Sequence, residues 1–454
     1  ANGGKFDVSA SGAGARHFAA AGPNGYAVPK AARVDTQPGT LDPQFGGTLK
    51  DPTIGADWVV VGHRSLLDMT PGQPLQNLIA QRKSAAGGAL RTAVVDIRDV
   101  YDEFSYGIED PQAIRDFVSY ILGNWKPPAP RYLLLVGDAT RDYKNLYGYN
   151  PPRQFVPTYM MDASFDQQLS YMLSDIWFGA VIGSDWLPDI FVGRLPVHTL
   201  GEANDAFTKI VNYENGAHPA GPTGWASKAL LVSEYDPASA DLMSVHDAIY
   251  NKWFTGAGPQ RADKVYENSW DGTTGCTAAA ADEKSRIKSE TNTGAAMLSF
   301  AGHGGWKDWG KSCNLFHVEK PGGPTYNDLN DINLDTPLQF QIHANCITGH
   351  FSADASNAPG VDDPWYSFLE DWLVTVRKGV IGGIAPSHLS YSYDLGLVLD
   401  PVYDDVFGRT KDRIFGAIDF AMRQNLNSAN DLTGLQSMVL QGDPATRLAV
   451  PAPP

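Results

Sequence analysis

The chain has 454 residues, more than one ordinary hydrophobic core accommodates, so two α/β units are expected. Lys and Arg number 35 against 51 Asp and Glu, and the net charge of -16 argues against nucleic acid or an anionic membrane surface as partner. No apolar run approaches the ~18 residues of a membrane helix, and Ala1 opens the chain without a charged-then-apolar leader, as in a processed or trimmed chain.

Residues 1–55 are rich in Gly, Ala and Pro and lack sustained periodicity, which predicts an N-terminal arm or the remnant of a longer N-terminal region. Strand and helix then alternate through residues 56–220. Asp57–Arg64 reads as a strand, Pro74–Gly87 as a helix closed by Gly, and Arg91–Val100 as a strand. Asp110–Trp125 is a helix with an Asp cap and Pro in its first turn, and Arg131–Ala139 is a third strand. Pro188–Val197 is a fourth, followed by a helix over Leu200–Glu214. The Gly/Pro-rich stretch Gly216–Gly224 is the candidate joint between units.

Residues 221–454 repeat the alternation. Strands are expected at Lys228–Asp236 and Asp263–Asn268, and helices at Ser239–Phe254 and Ala279–Thr291. Two apolar runs follow, Ala295–Gly305 and Pro337–Phe351, each a short buried strand by length and bounding residues. Beyond them come a helix over Asp363–Gly379, a strand over Gly379–Ser387, and helices near 395–407 and 413–426. Alternation of this kind calls for an α/β fold: two adjacent subdomains with mainly parallel sheets flanked by helices.

The two central strands end on reactive side chains, His303 in AGHGG and Cys346 in HANCITGHF. In open α/β sheets the carboxyl ends of strands are where ligands and chemistry sit. A thiol becomes a good nucleophile near neutral pH when an imidazole lowers its pKa. The Gly304 amide, together with that of Cys346, is placed to form an oxyanion hole. His343 and Cys346 point to opposite faces of a strand, so a shared metal is not expected; His343 reads as structural and His350 as a rim residue. Three cysteines permit one disulfide plus one thiol, with Cys276 and Cys313 paired, or three thiols in a reducing compartment. The acidic loop after residue 170 carries Asp175, Asp185 and Asp189, a set able to hold Ca²⁺, although its spacing is not an EF-hand and a solvated acidic loop is the alternative.

The pair SFAGHGGWKDWG and HANCITGHF resembles the gingipain family of cysteine peptidases, relatives of the caspase-like clan. The segments YLLLVGDA, PDIFVGRLPV, GVIGGIAPS and VLQGDPATRL follow in that family's order. The resemblance implies a second subdomain of caspase-like fold, polypeptide substrates, secretion or display at the cell surface, and calcium as a structural ion with no cofactor for the chemistry. It further implies His303 as general base, Cys346 as nucleophile and Asp236, with Glu234 nearby, as the carboxylate behind the histidine. By the same resemblance Met243 falls where the best-known members carry the acid that pairs with a substrate Arg or Lys. Asp241 lies two residues away, and Tyr391 or Tyr393 would line the pocket wall. A sorting-signal processing peptidase, a catalytically silent binding or adhesion module, and a metal-dependent hydrolase are the competing readings.

Overall fold

The computed structural model describes residues 48–146, 154–164, 169–216, 224–236, 242–256, 260–267, 278–310, 315–318, 327–352, 366–389, 395–408, 413–429 and 431–450. In chain order its strands are β1 (Trp58–Gly62), β2 (Thr92–Asp96), β3 (Tyr132–Val136), β4 (Met160–Asp162), β5 (Tyr171–Leu173), β6 (Phe191–Leu195) and β7 (Lys228–Ser233). Then come β8 (Arg261–Tyr266), β9 (Met297–Ala301), β10 (Asp308–Trp309), β11 (Phe316–His317), β12 (Gln339–Ala344), β13 (Val380–Pro386) and β14 (Met438–Gln441). The helices are α1 (Pro74–Lys83), α2 (Ile97–Phe104), α3 (Pro111–Asn124), α4 (Ile176–Gly179), α5 (Leu200–Glu214) and α6 (Leu242–Trp253). They continue as α7 (Ala278–Thr293), α8 (Phe368–Val374), α9 (Gly396–Phe407), α10 (Phe415–Ser428) and α11 (Leu432–Ser437).

Ten strands form one sheet in the order β2-β1-β3-β6-β14-β13-β12-β9-β7-β8. Every pairing is parallel except β13 with β14, and helices cover both faces. Strands buried on both faces read as unbroken apolar runs, which is why WVVVG, YLLLV and MLSFA stand out in the sequence. The first half of the chain supplies β2-β1-β3-β6 and the second supplies β13-β12-β9-β7-β8. Between them lies β14, which meets β6 at Gln441 and Arg194. The mainly parallel α/β architecture expected from the alternation is thus present, with the two blocks of strands sharing one sheet.

The terminal GDPATRL segment explains this seam. Asp443 accepts hydrogen bonds from Trp58 Nε1 of β1 at 3.0 Å and from Arg82 of α1 at 2.7 Å, and Arg82 also holds Glu214 at the end of α5 at 2.5 Å. All three partners are buried, so each charge has a counter-charge or donor. Leu49 and Ile54, ahead of β1, belong to the core under the first block. The arm up to residue 47 and most of the Gly/Pro joint, residues 217–223, lie outside the described residues.

Several elements differ from expectation. Arg91–Val100 is not one strand: it turns at Asp96, whose side chain caps the Arg98 amide and starts α2. The helix read as Asp363–Gly379 is shorter: it begins at Phe368 behind the N-cap Ser367 and ends at Val374, with residues 363–365 outside the described ones. The short hairpins β4-β5 and β10-β11 and the strand β14 carry too few residues for periodicity to show.

Candidate active site

Strands β9 and β12 pair directly, with Ala301 opposite Ala344. His303 and Cys346 therefore leave the sheet two residues beyond one pair, at the carboxyl edge. Cys346 is a half-buried thiol in no disulfide. Cys276 and Cys313 lie outside the described residues.

The loop after β9 is compressed from both sides. A Cβ on Gly302 would fall 2.7 Å from Glu234 Cβ, and one on Gly304 would fall 2.5 Å from Cys346 O. Neither position has room for a side chain, so the two glycines flanking His303 are demanded by close approach. The His303 amide donates to Glu234 Oε2 at 2.5 Å, and the imidazole Nε2 is 2.8 Å from Asp236 Oδ2. Both acids sit just past β7, the strand on the other side of β9. The edge thus carries carboxylate, imidazole and thiol from three neighbouring strands, β7, β9 and β12, in that order. Asp236 is largely buried while the His303 side chain is 39% exposed, so the ring is reachable from solvent and its partner is shielded.

Past His303 the chain folds back as a tight hairpin. Gly305 N–H donates to Asp308 O, and Gly310 N–H to His303 O, both at 2.9 Å. The bridge between them pairs Gly304 with Trp309 in the register where the flanking residues bond. The hairpin therefore does not consume the Gly304 amide. Beneath it Trp309 stacks on Phe300 and Phe368, a rigid floor under the loop.

Three other described histidines, His343, His350 and His246, are buried, and burial lowers the pKa of each. His343 is fully buried between Thr348 Oγ1 at 2.9 Å and Gln341 Oε1 at 3.0 Å, and burial pushes its pKa down to about 3. His350 is not a rim residue: it is buried against Trp306 and Tyr171, bonds Ser387 O at 2.6 Å through Nδ1, and is likewise pushed to about 3. The GHF that follows Cys346 turns inward because Phe351 packs over Arg194 and Gly349 abuts Ala385. His246 in α6 is held by Ser233 at 2.7 Å and Ser299 at 2.8 Å, and burial takes it to about 3. That buried hub sets the position of α6, and Met243, one turn away on it, is half-buried. Asp241, Tyr391 and Tyr393 lie outside the described residues.

The three aspartates of the acidic loop do not converge. Asp175 is buried and paired with Arg194 at 2.6 and 2.9 Å, and it accepts from Thr158. Asp185 is exposed, and Asp189 caps the amides of Val181 and Ile182 at 2.8 and 2.7 Å. Among the described residues the three are not brought within reach of one ion, because Asp175 faces the Arg194 guanidinium instead.

Parallel strands that deliver a thiol, an imidazole and a carboxylate side by side to the carboxyl edge define a cysteine-type peptidase. Comparison with known proteins agrees. The family model of peptidase family C25 matches residues 51–449, and the chain belongs to that family. The solved structure of the Arg-specific cysteine proteinase gingipain R (RgpB) superposes with a TM-score of 0.61 at 17% identity, covering 88% of this chain and 80% of that one. The complex of Porphyromonas gingivalis RgpB pro- and mature domains gives 0.60 at 18% identity, over 87% and 80%. At these identities the likeness speaks for the fold. No curated protein matches in sequence. No described helix is long and apolar enough to cross a membrane.

Proposed function

We propose that this chain is an exported endopeptidase in which Cys346 is the nucleophile and His303 the general base. The thiol proton passes to the imidazole, and the thiolate attacks the scissile carbonyl. The C–N bond breaks as the imidazolium returns that proton to the leaving amine, and water hydrolyses the thioester. The contact that supports this most directly is His303 Nε2 to Asp236 Oδ2 at 2.8 Å. A carboxylate there orients the ring and favours imidazolium, leaving Nδ1 for the thiol. The amides of Gly304 and Cys346 supply the donors for the oxyanion.

Met243 on α6 gives the specificity pocket a thioether rather than a carboxylate. A buried guanidinium or ammonium would find no counter-charge there, so an apolar or small residue before the scissile bond is preferred. Asp241, Tyr391 and Tyr393 are the other residues assigned to that pocket. Cys346→Ala should lower turnover by several orders of magnitude with an unchanged melting temperature and should abolish labelling by a peptidyl acyloxymethyl ketone. Peptidase activity near that of the parent in Cys346→Ala refutes the mechanism. Substrates varied only at the residue before the scissile bond decide the pocket: a lead for Arg or Lys that Asp241→Ala removes overturns the Met243 assignment.

A further inference from the structure

The described residues hold one group of three metal-ligating side chains, and it lies outside the catalytic edge. Asp138 follows β3, His198 follows β6, and Glu370 sits in the first turn of α8. Their ligand atoms all lie within 4.8 Å of one another. Three points that close can be met by one ion at about 2.8 Å or less, a reach that covers common divalent cations.

The group is poorly satisfied as a hydrogen-bonded cluster. Both oxygens of Asp138, Oε1 of Glu370 and both nitrogens of His198 are buried, and none makes a hydrogen bond. His198 Nε2 is 2.9 Å from Asp138 Oδ2, and this ion pair holds the imidazole pKa well above its usual value. Asp138 and Glu370 are fully buried carboxylates brought together, and His198 is the single cationic group against both. Two buried carboxylates thus face one imidazole, and ligand atoms that converge in this way can exchange its proton for a divalent cation.

We propose that Asp138, His198 and Glu370 form a binding site for a divalent transition-metal ion that braces α8 against the first half of the sheet. An imidazole nitrogen with two carboxylates suits ions of the zinc, cobalt or manganese type, whereas calcium prefers an all-oxygen shell. The surroundings are those of a supported ligand. Glu202 accepts the His198 amide at 2.8 Å, lies 3.6 Å from the ring Nδ1, and is held by the Tyr366 hydroxyl at 3.0 Å. The Ser367 amide fixes the other oxygen of Glu370 at 2.8 Å.

The position gives the ion a task. Leu369, beside Glu370, donates its amide to Thr348 O at 3.0 Å, two residues past Cys346. Asp371, on its other side, pairs with Lys307 at 3.1 Å, four residues past His303. Ala139, beside Asp138, bridges to Ser352. An ion at this point ties α8 to the ends of β3 and β6, and through α8 steadies both loops of the catalytic edge.

The test uses the full chain carrying Cys346→Ala, so that neither ligation by the active-site thiol nor turnover enters the readout. After chelator stripping, Zn²⁺, Co²⁺, Mn²⁺ and Ca²⁺ are titrated separately, with stoichiometry from calorimetry and melting temperature from scanning fluorimetry. The expected result is one Zn²⁺ or Co²⁺ per chain and a melting temperature raised by several degrees. Adding His198→Ala or Glu370→Gln should weaken binding at least a hundredfold, whereas adding His303→Ala should leave it unchanged. If those variants do not fold, the Co²⁺ visible spectrum of the Cys346→Ala chain decides: ligation by nitrogen and oxygen at a site of low coordination number shifts and intensifies the d–d bands relative to those of aqueous Co²⁺. No ion bound, binding indifferent to His198→Ala and Glu370→Gln, a Co²⁺ spectrum like that of the free ion, or stabilisation by Ca²⁺ alone overturns the site. The peptidase reading stands or falls separately, because none of these readouts measures cleavage.

Discussion

At the scale of single residues, the proposed catalytic edge rests on one 2.8 Å contact and two missing side chains. Asp236→Asn keeps the shape beside His303 but removes the charge that holds the ring tautomer and stabilises imidazolium. Turnover should fall by roughly 10²–10⁴ with KM little changed. An Asn variant with the parent's kcat would show that Asp236 does not orient the base. Gly304→Ala addresses the same geometry differently, because its methyl group would fall 2.5 Å from Cys346 O. The loops must part, at a cost of about 1–3 kcal/mol to the fold. Active-site titration should then show a far larger loss of reactive thiol than the modest drop in melting temperature explains.

At the scale of elements, what was legible in the sequence follows from how each signal is carried. Strands buried on both faces announce themselves as apolar runs, and β9 and β12 could be placed with their terminal His and Cys because Gly and Pro bound them. What stayed hidden depends on partners far away in the chain. Nothing local says that His350 turns inward, that Asp175 belongs to Arg194, or that Asp138, His198 and Glu370 meet across more than half the chain. Lys209 of α5 is a further case, reading as a helix-surface lysine but donating instead to Leu373 O of α8 at 2.7 Å, fully enclosed. Desolvation lowers its pKa to about 7, far below the unfolded value of about 10.4. Between those values the unfolded chain binds more protons, so stability rises with pH from about 7 to 10 and is flat below about 7. Denaturant midpoints across pH 6 to 10 should rise for the parent chain. In Lys209→Met that rise should shrink, and an undiminished slope would assign it to other groups.

On the scale of the whole molecule, the organising feature is the seam, where the last strand of the chain closes a sheet that two blocks of strands share. Trp58, Arg82 and Glu214 from the first half converge on Asp443 and Thr446 from the C-terminus, with both charges of the Arg82–Asp443 pair fully buried. Replacing one member of such a network strands the others. Asp443→Ala leaves Arg82 with Glu214 as its one counter-charge and the Trp58 indole N–H without its acceptor, and should cost about 3–5 kcal/mol. Because β14 is hydrogen-bonded to β13 on one side and meets β6 on the other, that loss should not be confined to the C-terminal segment. Tryptophans report from both halves, Trp58 and Trp125 in the first and Trp309 and Trp372 in the second. Fluorescence of variants retaining one set or the other, followed through guanidinium unfolding, should show Asp443→Ala lowering both midpoints together. If only the second-half probes shift, the two blocks fold as separate cooperative units that happen to share a sheet, and the seam is a contact rather than a keystone.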